Sequence, residues 1–105
     1  MVLEIVRQAV QIKMRSKSES PLISEAEYCC ACGIGLRLLG NPEGLLEKVR
    51  QMATIAEVKE AVVPIFQKAQ ETAEAPADQR LFRLLASSRV EGAVTEEIRP
   101  LFDPA

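Results

Sequence analysis

Cys29, Cys30 and Cys32 crowd three thiols into four positions and carry the most inherent chemistry in the sequence. Such a cluster could ligate metal, form disulfides or sense oxidants. No second Cys pair and no His accompanies it, so the chain cannot close a tetrahedral metal shell and no metal or other cofactor is expected. An odd, clustered set is also not a secreted disulfide framework. In a helix Cys29 and Cys32 lie near one face, and free Cys behaves as a small, easily buried hydrophobe. The reading is therefore packing at Cys29 and Cys30, with Gly33 admitting a neighbouring backbone; redox sensing or intermolecular metal binding through Cys29, Cys30 and Cys32 is the functional alternative.

Acid–base chemistry has little to work with. The absence of His removes the commonest general base. Ser16, Lys17 and Ser18 fall in a solvated linker that gives no means of depressing a lysine pKa. The carboxylate pairs Glu43/Glu47 and Glu57/Glu60 have helical spacing and read as a solvated face, since a di-metal site of the Glu-x-x-His type needs the missing His. A non-enzymatic protein is expected.

The basic residues are more informative. The 105 residues contain 13 Lys+Arg and 15 Asp+Glu, but residues 1–18 hold Arg7, Lys13, Arg15 and Lys17 against Glu4 alone. Arg7, Gln8, Gln11 and Arg15 form a cationic and amide stripe suited to tracking a phosphate backbone without reading bases. Lys13 and Lys17 add charge at the same end, and Arg37, Lys48 and Arg50 extend the track if the next helices pack alongside. A plain solvated face is the competing reading.

The elements that must position these residues are helical throughout. The length suits one domain, and 48% apolar with 27% charged residues is ordinary globular composition. No strand alternation and no Asn-Gly hairpin turn occurs. A first helix is predicted over 2–16, with a broad apolar arc of Val2, Leu3, Ile5, Val6, Ala9, Val10, Ile12 and Met14. Lys13 projects from that arc and must snorkel or find a partner. A helix this apolar is either enclosed in its own core or shared with another chain. After a polar linker at 16–21, Ser24 and Glu27 make a capping box for a helix ending at Gly40. That helix is thin in the middle, and Gly33 and Gly35 require the close approach of a neighbour. Asn41-Pro42 starts a short helix to about Met52; Thr54 and Glu57 form a second capping box for a helix to 71 or 72 that Pro64 kinks or splits. Residues 73–79 form an acidic connector, a helix runs from Asp78 to Ser88, and Thr95 caps a last short helix broken by Pro100. Residues 103–105 are a free tail. About five helices with short connections imply an all-α, mostly antiparallel bundle.

The longest apolar run, Tyr28 to Leu36, is far short of the ~20 residues that span a bilayer, and Glu4 and Arg7 interrupt the leading apolar residues. No membrane association and a cytoplasmic address are expected.

The basic, amphipathic first helix, the Ser-Lys-Ser-Glu-Ser linker at 16–20, SEAEYCCACGIGLRLLG at 24–40 and the late helix at 81–88 resemble the small helical subunit of type I CRISPR–Cas Cascade complexes. The resemblance implies a non-catalytic subunit, present in several copies, that packs against other subunits of a ribonucleoprotein. It would contact the backbone of guide RNA or of displaced single-stranded DNA through basic residues. The formal charge of −2 departs from that pattern. The reading of another class is a homo-oligomeric or adaptor module with no nucleic-acid role.

Overall fold

The computed structural model describes residues 2–15 and 21–103. Five α-helices follow one another: α1 (Val2–Met14), α2 (Glu25–Leu38), α3 (Leu45–Val49), α4 (Ile55–Thr72) and α5 (Pro76–Ser87). Two 3-10 turns, Pro42–Gly44 and Arg99–Phe102, complete the order. The described residues form no strand, only the isolated bridges Leu22 to Arg89 and Thr54 to Ala93 that tie loops together. The all-α expectation holds.

The architecture is organised around α2. Tyr28, Cys29, Cys30, Ala31, Cys32, Gly33, Gly35 and Leu36 are all buried, so this helix is enclosed rather than amphipathic. α1, α5 and the 99–102 turn lie against it, and α4 pairs with α5 on the far side of the core. The small residues set how closely these neighbours approach. A Cβ on Gly33 would lie 2.6 Å from the carbonyl carbon of Phe102, and one on Gly35 would lie 2.8 Å from Leu85 Cδ1 and 3.0 Å from the Phe66 ring. Phe66 and Phe82 stack with ring centroids 5.9 Å apart, joining α4 to α5.

The helix ends follow local chemistry. At the start of α2 the full capping box forms: Ser24 Oγ accepts from Glu27 N–H at 3.2 Å, and Glu27 Oε1 accepts from Ser24 N–H at 2.8 Å. The end of α2 uses Gly40 at φ +77°, left-handed as a helix exit requires. Thr54 Oγ1 caps α4 by accepting from Glu57 N–H at 3.3 Å.

Several boundaries differ from the sequence reading. α1 ends at Met14, where the Arg83 guanidinium donates to the Met14 carbonyl at 3.1 Å. Asn41 does not open a regular helix, because it and Glu43 both have positive φ; its Oδ1 instead accepts from Leu46 N–H at 2.9 Å and so caps α3 from a distance. α4 passes Pro64 without being split. α5 begins at Pro76, whose missing N–H costs nothing at a first helical position. The last element is only the turn at 99–102, and Asp103 is not a free tail residue but an ion-pair partner.

Gly33→Ala tests the close approach on α2. Helix propensity alone would favour Ala by about 1 kcal/mol, but overpacking against the Phe102 backbone costs about 1–3 kcal/mol. A net loss of stability is expected in chemical denaturation, and a gain would show that the turn yields freely.

Candidate interaction surface

The three thiols lie under the surface, all free and all buried. Burial pushes the Cys29 thiol up to about 12, with the nearby Arg99 guanidinium opposing the rise. Burial raises Cys32 as well, and the neighbouring Cys29 adds to it. At Cys30 burial again dominates, and the Arg7 side chain, hydrogen-bonded to the thiol, pulls part of the way back. The group is thus protonated and enclosed at neutral pH, the environment of an inert packing thiol rather than a reactive one.

The arginines and lysines have mostly found partners within the fold. Lys13 Nζ donates to the Leu22 carbonyl at 2.9 Å, which answers the need created by its place on the apolar side of α1. Arg37 pairs with Asp103 Oδ1, and Arg50 Nη2 reaches Asp103 Oδ2 at 2.7 Å, so one carboxylate spans two guanidiniums. Lys59 Nζ donates to the Ser88 carbonyl at 3.0 Å. Arg99 is the most heavily committed. Its guanidinium donates to the carbonyls of Arg50, Met52 (3.0 Å) and Val94 (2.9 Å), and its Nε to Glu96 at 3.3 Å.

The eight residues expected to follow a phosphate backbone therefore divide among separate surroundings. Arg7 and Gln11 line a groove of about 360 Å³ between α1, α2 and α5, together with Val10, Met14, Ile34 and Leu81. Lys13 lies instead on a cleft of about 700 Å³ with Glu25, Glu27, Lys59, Arg89 and Glu91, where charges of both signs alternate. Arg37 and Arg50 come together, but around Asp103. Arg15 and Lys48 are exposed, on α1's exit and on α3 respectively. Lys17 lies outside the described residues.

The outer side of α1 also offers apolar surface. Among the described side chains of α1, Val6 and Val10 are buried in the core, with Met14 packed against it. Ile5 and Ile12, part of the broad apolar arc seen in the sequence, are 66% and 68% exposed. They sit one heptad apart on the outer side, with Gln8 between them and Glu4, Gln11 and Arg15 flanking, all exposed. Leu22, 63% exposed, is tethered near the end of α1 by the Lys13 hydrogen bond, and Leu38, 53% exposed, borders the α1–α5 groove. No helix among the described residues is long and apolar enough to cross a membrane.

Sequence reasoning missed Arg99, Asp103 and the outward isoleucines. The excess apolar width of the first helix was the available signal for Ile5 and Ile12. Nothing in the spacing around Arg99 or Asp103 points to carbonyls and arginines about 50 residues earlier.

The sequence matches, over residues 1–105, the model of a family described as a domain of unknown function, DUF3837, and the chain belongs to that family. No curated protein and no solved structure matches it.

Two outcomes follow from these environments. Because the folded thiols titrate above their ordinary value of 9.0, the folded state holds protons there that the unfolded state has lost. Stability is then fully retained below about pH 9 and falls as pH rises from 9 towards 12, at up to about 1.4 kcal/mol per pH unit for each thiol. Urea midpoints at pH 7 and pH 10 measure this, and equal midpoints would contradict the burial. Arg99→Met strips donors from three carbonyls and is expected to cost about 2–4 kcal/mol by the same measurement.

Proposed function

We propose that this member of the DUF3837 family is a non-catalytic helical interaction module that docks onto another protein surface through the outer side of α1. The observation that carries this reading is the pair of exposed isoleucines, Ile5 and Ile12, aligned on a helix whose opposite side is already anchored through Val6 and Val10. Single exposed apolar residues are common on soluble proteins, but two aligned one heptad apart and bordered by Gln8, Gln11, Glu4 and Arg15 have the layout of an interface core with a polar rim. The partnered cations favour the same reading, since Arg37, Arg50, Lys13 and Arg99 already serve Asp103 or backbone carbonyls.

A second reading keeps the same module inside a ribonucleoprotein of the type I Cascade kind, where it would contact guide RNA or displaced single-stranded DNA. It draws on the resemblance and on one observation, that Arg15 and Lys48 are solvent-exposed cations. In that case copies assembled side by side would supply the phosphate track that a single chain lacks. The module would work in the cytoplasm under either reading.

The two are separated by what purifies with the chain from its source cells. Ile5→Glu/Ile12→Glu is expected to remove associated protein while leaving far-UV helicity unchanged, because both side chains are exposed. Lys48→Glu, on α3 and off that face, is expected to leave the association intact. Loss of bound RNA or of single-stranded DNA binding in the charge-reversed chain, with the isoleucine variant unaffected, would overturn the docking reading in favour of the second. Arg7 is unsuited to this test, since its side chain bonds Cys30.

A further inference from the structure

The outer side of α1 is more than apolar; its charge is ordered along the helix. Glu4 stands near the start and Arg15 just past the end, both exposed, and neither has an ion pair among the described residues. At 100° per residue Glu4, Ile5, Gln8, Ile12 and Arg15 fall within an arc of about 100°. At 1.5 Å per residue, Ile5 and Ile12 are about 10.5 Å apart along the axis, and Glu4 and Arg15 about 16.5 Å. Both spans are centred between residues 8 and 10.

We propose that the occupant of this face is a second copy of the same chain, its α1 running antiparallel about a two-fold axis near Gln8. The proposal rests on the docking reading above and names its partner. One rotation satisfies both spans: Ile5 of each copy meets Ile12 of the other, and Glu4 of each meets Arg15 of the other. Gln8 lies close to the axis, where an amide, being both donor and acceptor, can bond its own symmetry mate. A two-fold contact needs a surface complementary to itself, and an acid-to-base gradient along a helix has that property only antiparallel. The parallel arrangement sets Glu4 against Glu4 and Arg15 against Arg15. A contact of one short helix per copy is small, so the expected dissociation constant is about 10–100 µM.

Sedimentation equilibrium of the purified full chain, from about 1 µM to 1 mM, is expected to show reversible dimerisation. Ile5→Glu should weaken it at least about tenfold. Glu4→Arg should weaken it through two repulsive pairs, and Glu4→Arg/Arg15→Glu should restore it. Mixing Glu4→Cys chains with Arg15→Cys chains under mild oxidation should yield a crosslink that neither gives alone, a readout that leaves the isoleucines untouched. A chain that stays monomeric to 1 mM overturns the second copy as occupant; the docking reading then stands only if Ile5→Glu/Ile12→Glu still strips a co-purifying protein. A dimer indifferent to Ile5→Glu likewise overturns the second copy as occupant of this face, and leaves the docking reading to the same co-purification test. A dimer that Ile5→Glu weakens, but in which the charge-swapped double variant fails to recover, overturns the antiparallel arrangement alone.

Discussion

The approach of the Phe102 backbone to Gly33 is the contact on which the rest of the molecule depends. It requires a helix surface without a Cβ, and it encloses α2 on the side that α1, α4 and α5 leave uncovered. Once α2 is surrounded, its side chains must be small, which is why cysteines, alanine and two glycines occupy its middle. The same enclosure explains the raised thiols, because a buried group far from water resists ionisation. It also brings the 99–103 segment close enough for Arg99 to reach the end of α3 and for Asp103 to reach Arg37 and Arg50.

Much of the positive charge is thereby directed inward. Lys13, Lys59, Arg83 and Arg99 each donate to a backbone carbonyl at a loop or helix end, where acceptors would otherwise lack partners. Long cationic side chains suit this task because their stems can lie along apolar surface. Of the first helix's cations Lys13 is one of these, while Arg7 and Arg15 stay exposed. What α1 turns outward includes an apolar pair, Ile5 and Ile12, set between Glu4 and Arg15.

The local signals were legible in the sequence. Ser24 with Glu27, Gly40 and Thr54 announce helix ends because capping needs a particular side chain or a positive φ within a few residues. The thin middle of α2 and its need for a close neighbour were legible for the same reason. Which neighbour was not, since Gly33 and Phe102 are joined only by tertiary packing. Pro64 was read as a kink or break, yet exposed on α4 it leaves the helix unsplit. The first helix shows the opposite failure: its apolar arc was visible, but periodicity cannot say whether such an arc is covered by the chain itself. Asp103 looked like tail because a carboxylate next to a proline carries no sign of two arginines more than 50 residues away.

The order in which the chain is made gives the Gly33–Phe102 contact another meaning. Synthesis proceeds from the N-terminus, and α2 emerges long before the turn that closes over it. Until residues 99–102 follow, the flank of α2 at Gly33 stays open to solvent, and to other nascent chains. The most buried element of the finished protein is therefore closed by the last element in the order.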